Sequence, residues 1–145
     1  MSALLEYLSP STRRNDFGKK KDLYEQVFKT REYFCFEYMN PTADPNLFGW
    51  RLDAHGRYQP ITANEQGWLW SEELDLWVGT WDGRLEHDTT TWMRFYTANG
   101  GLVLTAAEAA TRRADEEQRR ADEEASQRKA LEAEIERLKA QFAAQ

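Results

Sequence analysis

Glu6 and Lys20 are the two residues of this chain whose types and spacing suit chemistry done together. Both lie in the stretch "EYLSPSTRRNDFGKKKDLYEQ", Glu6 to Gln26, which Glu6 opens. Glu6 lies in the short apolar run "LLEYL", which is stopped by Ser9-Pro10-Ser11-Thr12, a turn-favouring sequence. Asp16 can cap a helix that starts near Phe17 and runs to about Phe28. On the wheel of that helix Phe17, Tyr24, Val27 and Phe28 mark an inward face, Lys20 falls on the same stripe, and Lys19 and Lys21 lie to its sides. A lysine among aromatic neighbours either snorkels outward or meets a carboxylate. A strand-turn-helix connection brings Glu6 within its reach. A carboxylate and an ammonium at the end of a strand are the parts needed to hold Mg²⁺ and orient a water against a phosphodiester. The same two residues also read as a structural salt bridge or a snorkelling lysine.

The elements that must position this pair follow from the pattern around it. After the helix, "REYFCFEY" is an aromatic-rich run of strand length. Strand, helix and strand in that order fit a βαβ unit or the edge of an α/β sheet. From Asn40 to Leu104 the signals are β and turn. "LFGWRLDAHGRYQPI" reads as a hairpin around Asp-Ala-His-Gly, and "TTTWMRFYTANGGLVL" as another strand pair around Asn-Gly-Gly. Between them "GWLWSEELDLWVGTWDG" carries four of the six tryptophans, so a Trp-rich antiparallel sheet is expected. From Thr105 onward the texture changes to Ala, Glu, Arg, Asp, Lys, Gln and Leu. "TRRADEE" is followed at once by "QRRADEE", a period of seven. Alternating steps of four and three define a seam through Ala110, Ala114, Glu117, Ala121, Glu124 and Arg128, which continues into Leu131, Ile135, Leu138 and Phe142. The last four are coiled-coil core residues that can pair with a second copy of the chain. A solvated single helix is the other reading of the same segment.

Bulk properties narrow the classes. The chain has 145 residues, enough for one domain plus an appendage, and its net charge is 19 − 25 = −6, so overall charge does not make it a polyanion binder. Locally the balance reverses. Between Ser11 and Arg31 seven basic residues face three acids, a balance of +4. Arg13, Arg14, Lys19 and Lys21 of this cluster suit phosphate contacts, although such a run also suits a solvated face. The single Cys35 excludes an intramolecular disulfide and points to a reducing compartment; within "YFCF" it reads as a buried structural thiol. No segment reaches the roughly 18 apolar residues of a membrane span, and the start lacks the features of a signal peptide. A cytoplasmic protein without a membrane partner is expected.

The stretch from Glu6 to Glu37 resembles the signature of the Uma-two family of restriction-endonuclease-like proteins, members of the PD-(D/E)XK nuclease superfamily. The residues that carry the resemblance are Glu6, Ser9-Pro10-Ser11-Thr12, Asp16, Gly18, Lys20, Tyr24 and Glu32-Tyr33, and the likeness continues into the charged tail. It implies a Mg²⁺-dependent DNA endonuclease with Glu6 as a metal-binding carboxylate and catalytic residue. The superfamily's lysine normally lies two residues after that carboxylate, where this chain has Leu8. The family supplies its lysine from the following helix, which implies Lys20. The family's metal-binding Asp lies four residues before the Glu, at Ser2 here, and its preceding Pro falls at Met1. The family's N-terminal half has no counterpart in this sequence, so the resemblance implies impaired catalysis.

The expected fold is therefore α/β or α+β: a partial restriction-endonuclease-like sheet with a Trp-rich β appendage over residues 1–104, and a charged helical tail over 105–145. Two function classes follow. One is a DNA endonuclease acting through Glu6 and Lys20, with Arg13, Arg14, Lys19 and Lys21 on the DNA backbone. The other is a non-catalytic interaction protein that dimerises through Leu131, Ile135, Leu138 and Phe142. Weaker signals point elsewhere. "DFG" at 16–18 stands without other kinase elements. His55 and His87 lack ligand spacing and read as exposed. The tryptophans read as hairpin packing rather than base-stacking platforms.

Overall fold

The computed structural model describes residues 2–9, 16–38 and 47–145. It divides into two units, residues 1–103 and 104–145.

In the first unit the central strand carries the fold. Strand β2 (Glu32–Glu37) is "EYFCFE", and all six of its residues are buried. A strand buried on every side needs partners on both edges and covers on both faces. β1 (Ala3–Leu8) pairs parallel with one edge, setting Glu6 opposite Cys35, and β3 (Leu47–Leu52) pairs antiparallel with the other. β4 (Tyr58–Pro60) closes the order β1-β2-β3-β4. Parallel neighbours require a crossover, and the crossover here contains the helix at residues 16–28. The expected strand-helix-strand unit is present, with β1 and β2 as nearest neighbours.

Period-two alternation sends the residues of β2 to opposite faces. Phe34 and Phe36 join Leu47, Leu69, Val78 and Met93 in one core cluster. Tyr33 and Cys35 join Leu8 and Tyr58 in another, with Leu4, Tyr24 and Trp50 packed against it. The first cluster lies between this sheet and a second, three-stranded one of order β5-β6-β7. The second lies beneath the crossover helix. Helix, mixed sheet and antiparallel sheet thus form three layers.

The second sheet is antiparallel and tryptophan-rich. β5 (Leu69–Ser71) pairs with β6 (Leu76–Leu85), and β6 forms a long hairpin with β7 (Asp88–Tyr96) across Glu86-His87. The sequence pattern around Asn99-Gly100-Gly101 suggested a strand pair. Only a single bridge, Tyr96 to Leu102, forms there, on the edge of β7 away from β6, with the Val103 N–H donating to the Phe95 carbonyl at 2.9 Å. Trp68 lies flat on Tyr96, with ring centroids 3.8 Å apart.

The two sheets approach closely at Gly49. A Cβ built on this residue would stand 2.8 Å from both Leu69 Cδ1 and Phe34 Cδ1. Gly49→Ala is therefore expected to destabilise the unit by about 1–3 kcal/mol through overpacking. Denaturant unfolding followed by tryptophan fluorescence measures this, and an unchanged midpoint would show that the layers have slack.

The crossover helix departs from the expected wheel. It runs as Asp16–Lys20, Lys21–Leu23 and Tyr24–Phe28, and its first and last segments have π rather than α winding. Wider turns rotate side chains away from their α-helical azimuth. Val27 and Phe28, expected inward, are 66% and 63% exposed, while Glu25 is buried in their place. The helix ends at Lys29, in the left-handed region at φ 50°. Glu25 accepts the backbone N–H of Tyr58 at 2.6 Å, which ties the helix end to β4.

The second unit is one helix of 38 residues, Ala106–Ala143, with no buried residue. Thr105 caps it in a reciprocal capping box with Glu108. Arg112 and Glu116, four residues apart, form an ion pair at 3.1 Å. Among the described residues no helix is long and apolar enough to cross a membrane.

Candidate active site

Glu6 stands in the second half of β1 on the face that the crossover helix covers. Both carboxylate oxygens are engaged. Oε1 accepts from the Tyr24 hydroxyl at 3.0 Å and Oε2 from the Tyr33 hydroxyl at 2.8 Å. Lys20 Nζ stands 3.7 Å from Oε2, with its side chain 44% exposed against 19% for Glu6. Two residues fourteen apart in sequence thus meet because the strand and the helix pack against each other. The ion pair is half open to water, so its own contribution to stability is about 1 kcal/mol at most.

The tyrosines fix the carboxylate. Tyr24 comes from the helix, four residues after Lys20, and Tyr33 from β2, two residues before the Cα partner of Glu6. Their rings lie 5.1 Å apart, and Tyr33 also stacks on Trp50 at 5.8 Å. Burial, helped by the neighbouring Cys35 and Glu6, drives the Tyr33 hydroxyl far above the ordinary tyrosine value. It therefore stays protonated at any ordinary pH and acts as a donor to Glu6.

Beside this pair Lys21 lies over the Trp50 ring, its Nζ 4.8 Å from the centroid. That cation–aromatic contact holds the second lysine along the same aromatic face. Lys19 is exposed. Arg13 and Arg14 lie outside the described residues. The structure thus brings Glu6 and Lys20 together and places Lys21 nearby, while Leu131, Ile135, Leu138 and Phe142 belong to the separate helical unit.

The sequence reading noted Tyr24 and Tyr33 as parts of a motif but gave them no role. A signal was available: Tyr24 sits one helical turn from Lys20, and Tyr33 shares the face of Cys35. The missing step was the parallel register that sets Glu6 against Cys35.

The described residues of this centre do not by themselves make a resident Mg²⁺ site. Mg²⁺ takes oxygen ligands in near-octahedral geometry, usually from one or two carboxylates together with waters and substrate phosphate. Here a single carboxylate already accepts from two hydroxyls and neighbours an ammonium. Among the described residues no group of three His, Cys, Asp or Glu is placed to hold a metal ion. His55 and His87 are both exposed. What the residues can do unaided is narrower: Lys20 can meet a phosphate or a polarised water from the solvent side while Glu6 holds its position.

Another carboxylate in the same unit, Glu32, looks similar but is closed. It accepts from Arg51 Nε at 2.9 Å and from the Glu72 backbone N–H at 2.8 Å, and the Ser71 hydroxyl also donates to it. Arg51 in turn donates to the Trp70 carbonyl at 2.6 Å. This network joins the two sheets, and the Glu32 carboxylate, fully buried, presents no side to a substrate. Comparison of the chain with protein-family models, with curated proteins and with solved structures finds no match.

Proposed function

We propose that the chain is a DNA endonuclease of the Uma-two type, hydrolysing phosphodiester bonds at the Glu6–Lys20 centre. The observation that carries this reading is the 3.7 Å approach of Lys20 Nζ to Glu6 Oε2 on one face of the sheet. Lys20 neutralises the phosphate and orients the attacking water; its partial exposure lets the ammonium reach a ligand without leaving the helix. Glu6, fixed by two hydroxyl donors, holds that ammonium and accepts from the water. Lys21 over Trp50 and Lys19 contact the DNA backbone, the role the sequence also suits to Arg13 and Arg14.

The test is nicking of supercoiled plasmid by the purified chain in Mg²⁺ or Mn²⁺. Lys20→Ala is expected to lower the rate about 100-fold or more, while its unfolding midpoint moves little, because the lost ion pair is half exposed. No cleavage in either ion would sink the reading. So would cleavage that Lys20→Ala leaves intact.

A second reading is interaction through the C-terminal helix. It is favoured by one observation: Leu131, Ile135, Leu138 and Phe142 are 64%, 50%, 41% and 72% exposed at regular seam spacing.

A further inference from the structure

We infer that the C-terminal helix pairs with a second copy of itself in antiparallel orientation, in a register that sets Arg128 against Glu124 of the second copy. This inference rests on the reading that the helix is an interaction element, and it names both the partner and the geometry.

The argument begins with the uneven seam. Along Ala106–Ala143 the seam positions divide into two kinds. The first half offers small or acidic residues, Ala110, Ala114, Glu117, Ala121 and Glu124. The second half offers Arg128 and then the large apolar set that ends in Phe142. In a parallel, in-register pair each seam residue meets its own copy. Glu117 would then face Glu117, Glu124 face Glu124 and Arg128 face Arg128, three like-charge layers within four, with only Ala121 among them. The alanine layers would leave space between the helices, and the large residues would crowd at one end.

Reversing one helix removes these conflicts together. With Arg128 opposite Glu124 of the second copy, every layer pairs positions whose numbers sum to 252. Leu131 then meets Ala121, Leu138 meets Ala114 and Phe142 meets Ala110, each large side chain over a small one, as close packing of two helices requires. The central layer holds two opposite-charge contacts related by the dyad. Arg120, beside the seam, comes near Glu134 of the second copy. One layer remains imperfect, Ile135 over Glu117, where the glutamate's stem covers the isoleucine and its carboxylate turns to water. Like charges disfavour the parallel pair while opposite charges favour the antiparallel one, and this sets orientation as well as partner.

The overlap is long enough to matter. Residues 110–142 span roughly 50 Å of helix at 1.5 Å per residue. The helix has no buried residue of its own, so the whole seam is available to a second chain.

Cysteine cross-linking of the full chain tests the orientation, since native Cys35 is fully buried. Chains carrying Ala114→Cys and chains carrying Leu138→Cys are mixed, allowed to exchange and oxidised. The expected result is a disulfide-linked dimer in the mixture and little in either variant alone. Self-cross-linking of the Leu138→Cys chain alone would mean a parallel pair; that overturns the antiparallel inference and leaves the helix as an interaction element. Sedimentation of a monomer at tens of micromolar would overturn both. As an independent check, Arg128→Glu is expected to weaken dimerisation about tenfold or more, and Glu124→Arg added to it to restore the affinity. An unchanged dissociation constant for Arg128→Glu would refute the register.

Discussion

Replacing Glu32 with alanine is expected to destabilise the first unit by about 3–5 kcal/mol. Glu32 is fully buried, yet its carboxylate collects a guanidinium, a hydroxyl and a backbone N–H from residues 51, 71 and 72. Removing one partner of such a buried network strands the others. Arg51 would keep the Trp70 carbonyl and an ion pair with Glu72, but the Ser71 hydroxyl and the 72 amide would lose their acceptor. A loss of this size is a large fraction of the roughly 5–15 kcal/mol that holds a domain. Guanidinium unfolding followed by tryptophan fluorescence reads it cleanly. All six tryptophans lie between residues 50 and 92, so the long helix contributes nothing to the signal. Arg31→Ala supplies the contrast: its guanidinium reaches Glu72 and Glu73 at 3.0 and 3.1 Å but is 54% exposed, so a change of about 1 kcal/mol or less is expected. A Glu32→Ala effect as small as that of Arg31→Ala would mean that water, not protein, satisfies the network.

The parts of the fold that local chemistry determines were legible in the chain. "LLEYL" and "EYFCFE" announced two strands by their apolar and aromatic content, and the turn and helix between them announced a crossover. The mixed α and β composition, the tryptophan-rich antiparallel sheet and the long C-terminal helix followed from period and turn chemistry. Pairing choices were less legible. β7 pairs with β6 along its whole length, whereas the segment after Gly101 meets the other edge of β7 at the single bridge of Tyr96 to Leu102, and local turn chemistry does not set how far either ladder runs. The π winding of the crossover helix was also hidden. An α-helical wheel places Val27 and Phe28 inside, whereas the wider turns bury Glu25, whose partner, the Tyr58 amide, lies 33 residues away.

The site shows the same division. The approach of Lys20 to Glu6 followed from a helix stripe aimed back at a strand end, both short-range features. The clamp on Glu6 did not follow, because the position of Tyr33 depends on a parallel register between strands more than twenty residues apart, and Tyr24 reaches Glu6 from the helix eighteen residues away. Glu32 and Tyr33 are adjacent on β2 and serve opposite faces. Glu32 pins one sheet to the other, and Tyr33 orients the carboxylate beside Lys20. One strand thus fixes both the core and the site, so changes at either face are expected to reach the other through its backbone.

Above pH 10 the first unit is expected to lose stability steeply, with tyrosine ionisation arriving together with unfolding. Burial is the main cause. It drives Tyr33 far above its ordinary value and pushes Tyr58 up to about 12, the latter also facing the negative Glu25; it raises Tyr7 and Tyr96 as well. A group that binds its proton more tightly when folded stabilises fully below its unfolded pKa, near 10 for tyrosine, and that contribution falls as pH climbs toward the folded value. Tyr33 and Tyr58 each remove about 1.4 kcal/mol per pH unit over that range. Together they take roughly 5 kcal/mol between pH 10 and 12, comparable with the whole stability of a small domain. Tyr58 also loses its donation to the Thr30 carbonyl, and Tyr33 its donation to Glu6. The measurement pairs phenolate absorbance with tryptophan fluorescence along an alkaline titration. Folded protein at pH 11 should retain Tyr33 and Tyr58 un-ionised, and both should ionise in the step that shifts the fluorescence. Tyr58→Phe should flatten the dependence of unfolding free energy on pH by about 1.4 kcal/mol per unit. All six tyrosines ionising while the fluorescence stays native would show that these hydroxyls meet solvent, and that the Tyr33 hydroxyl does not clamp Glu6.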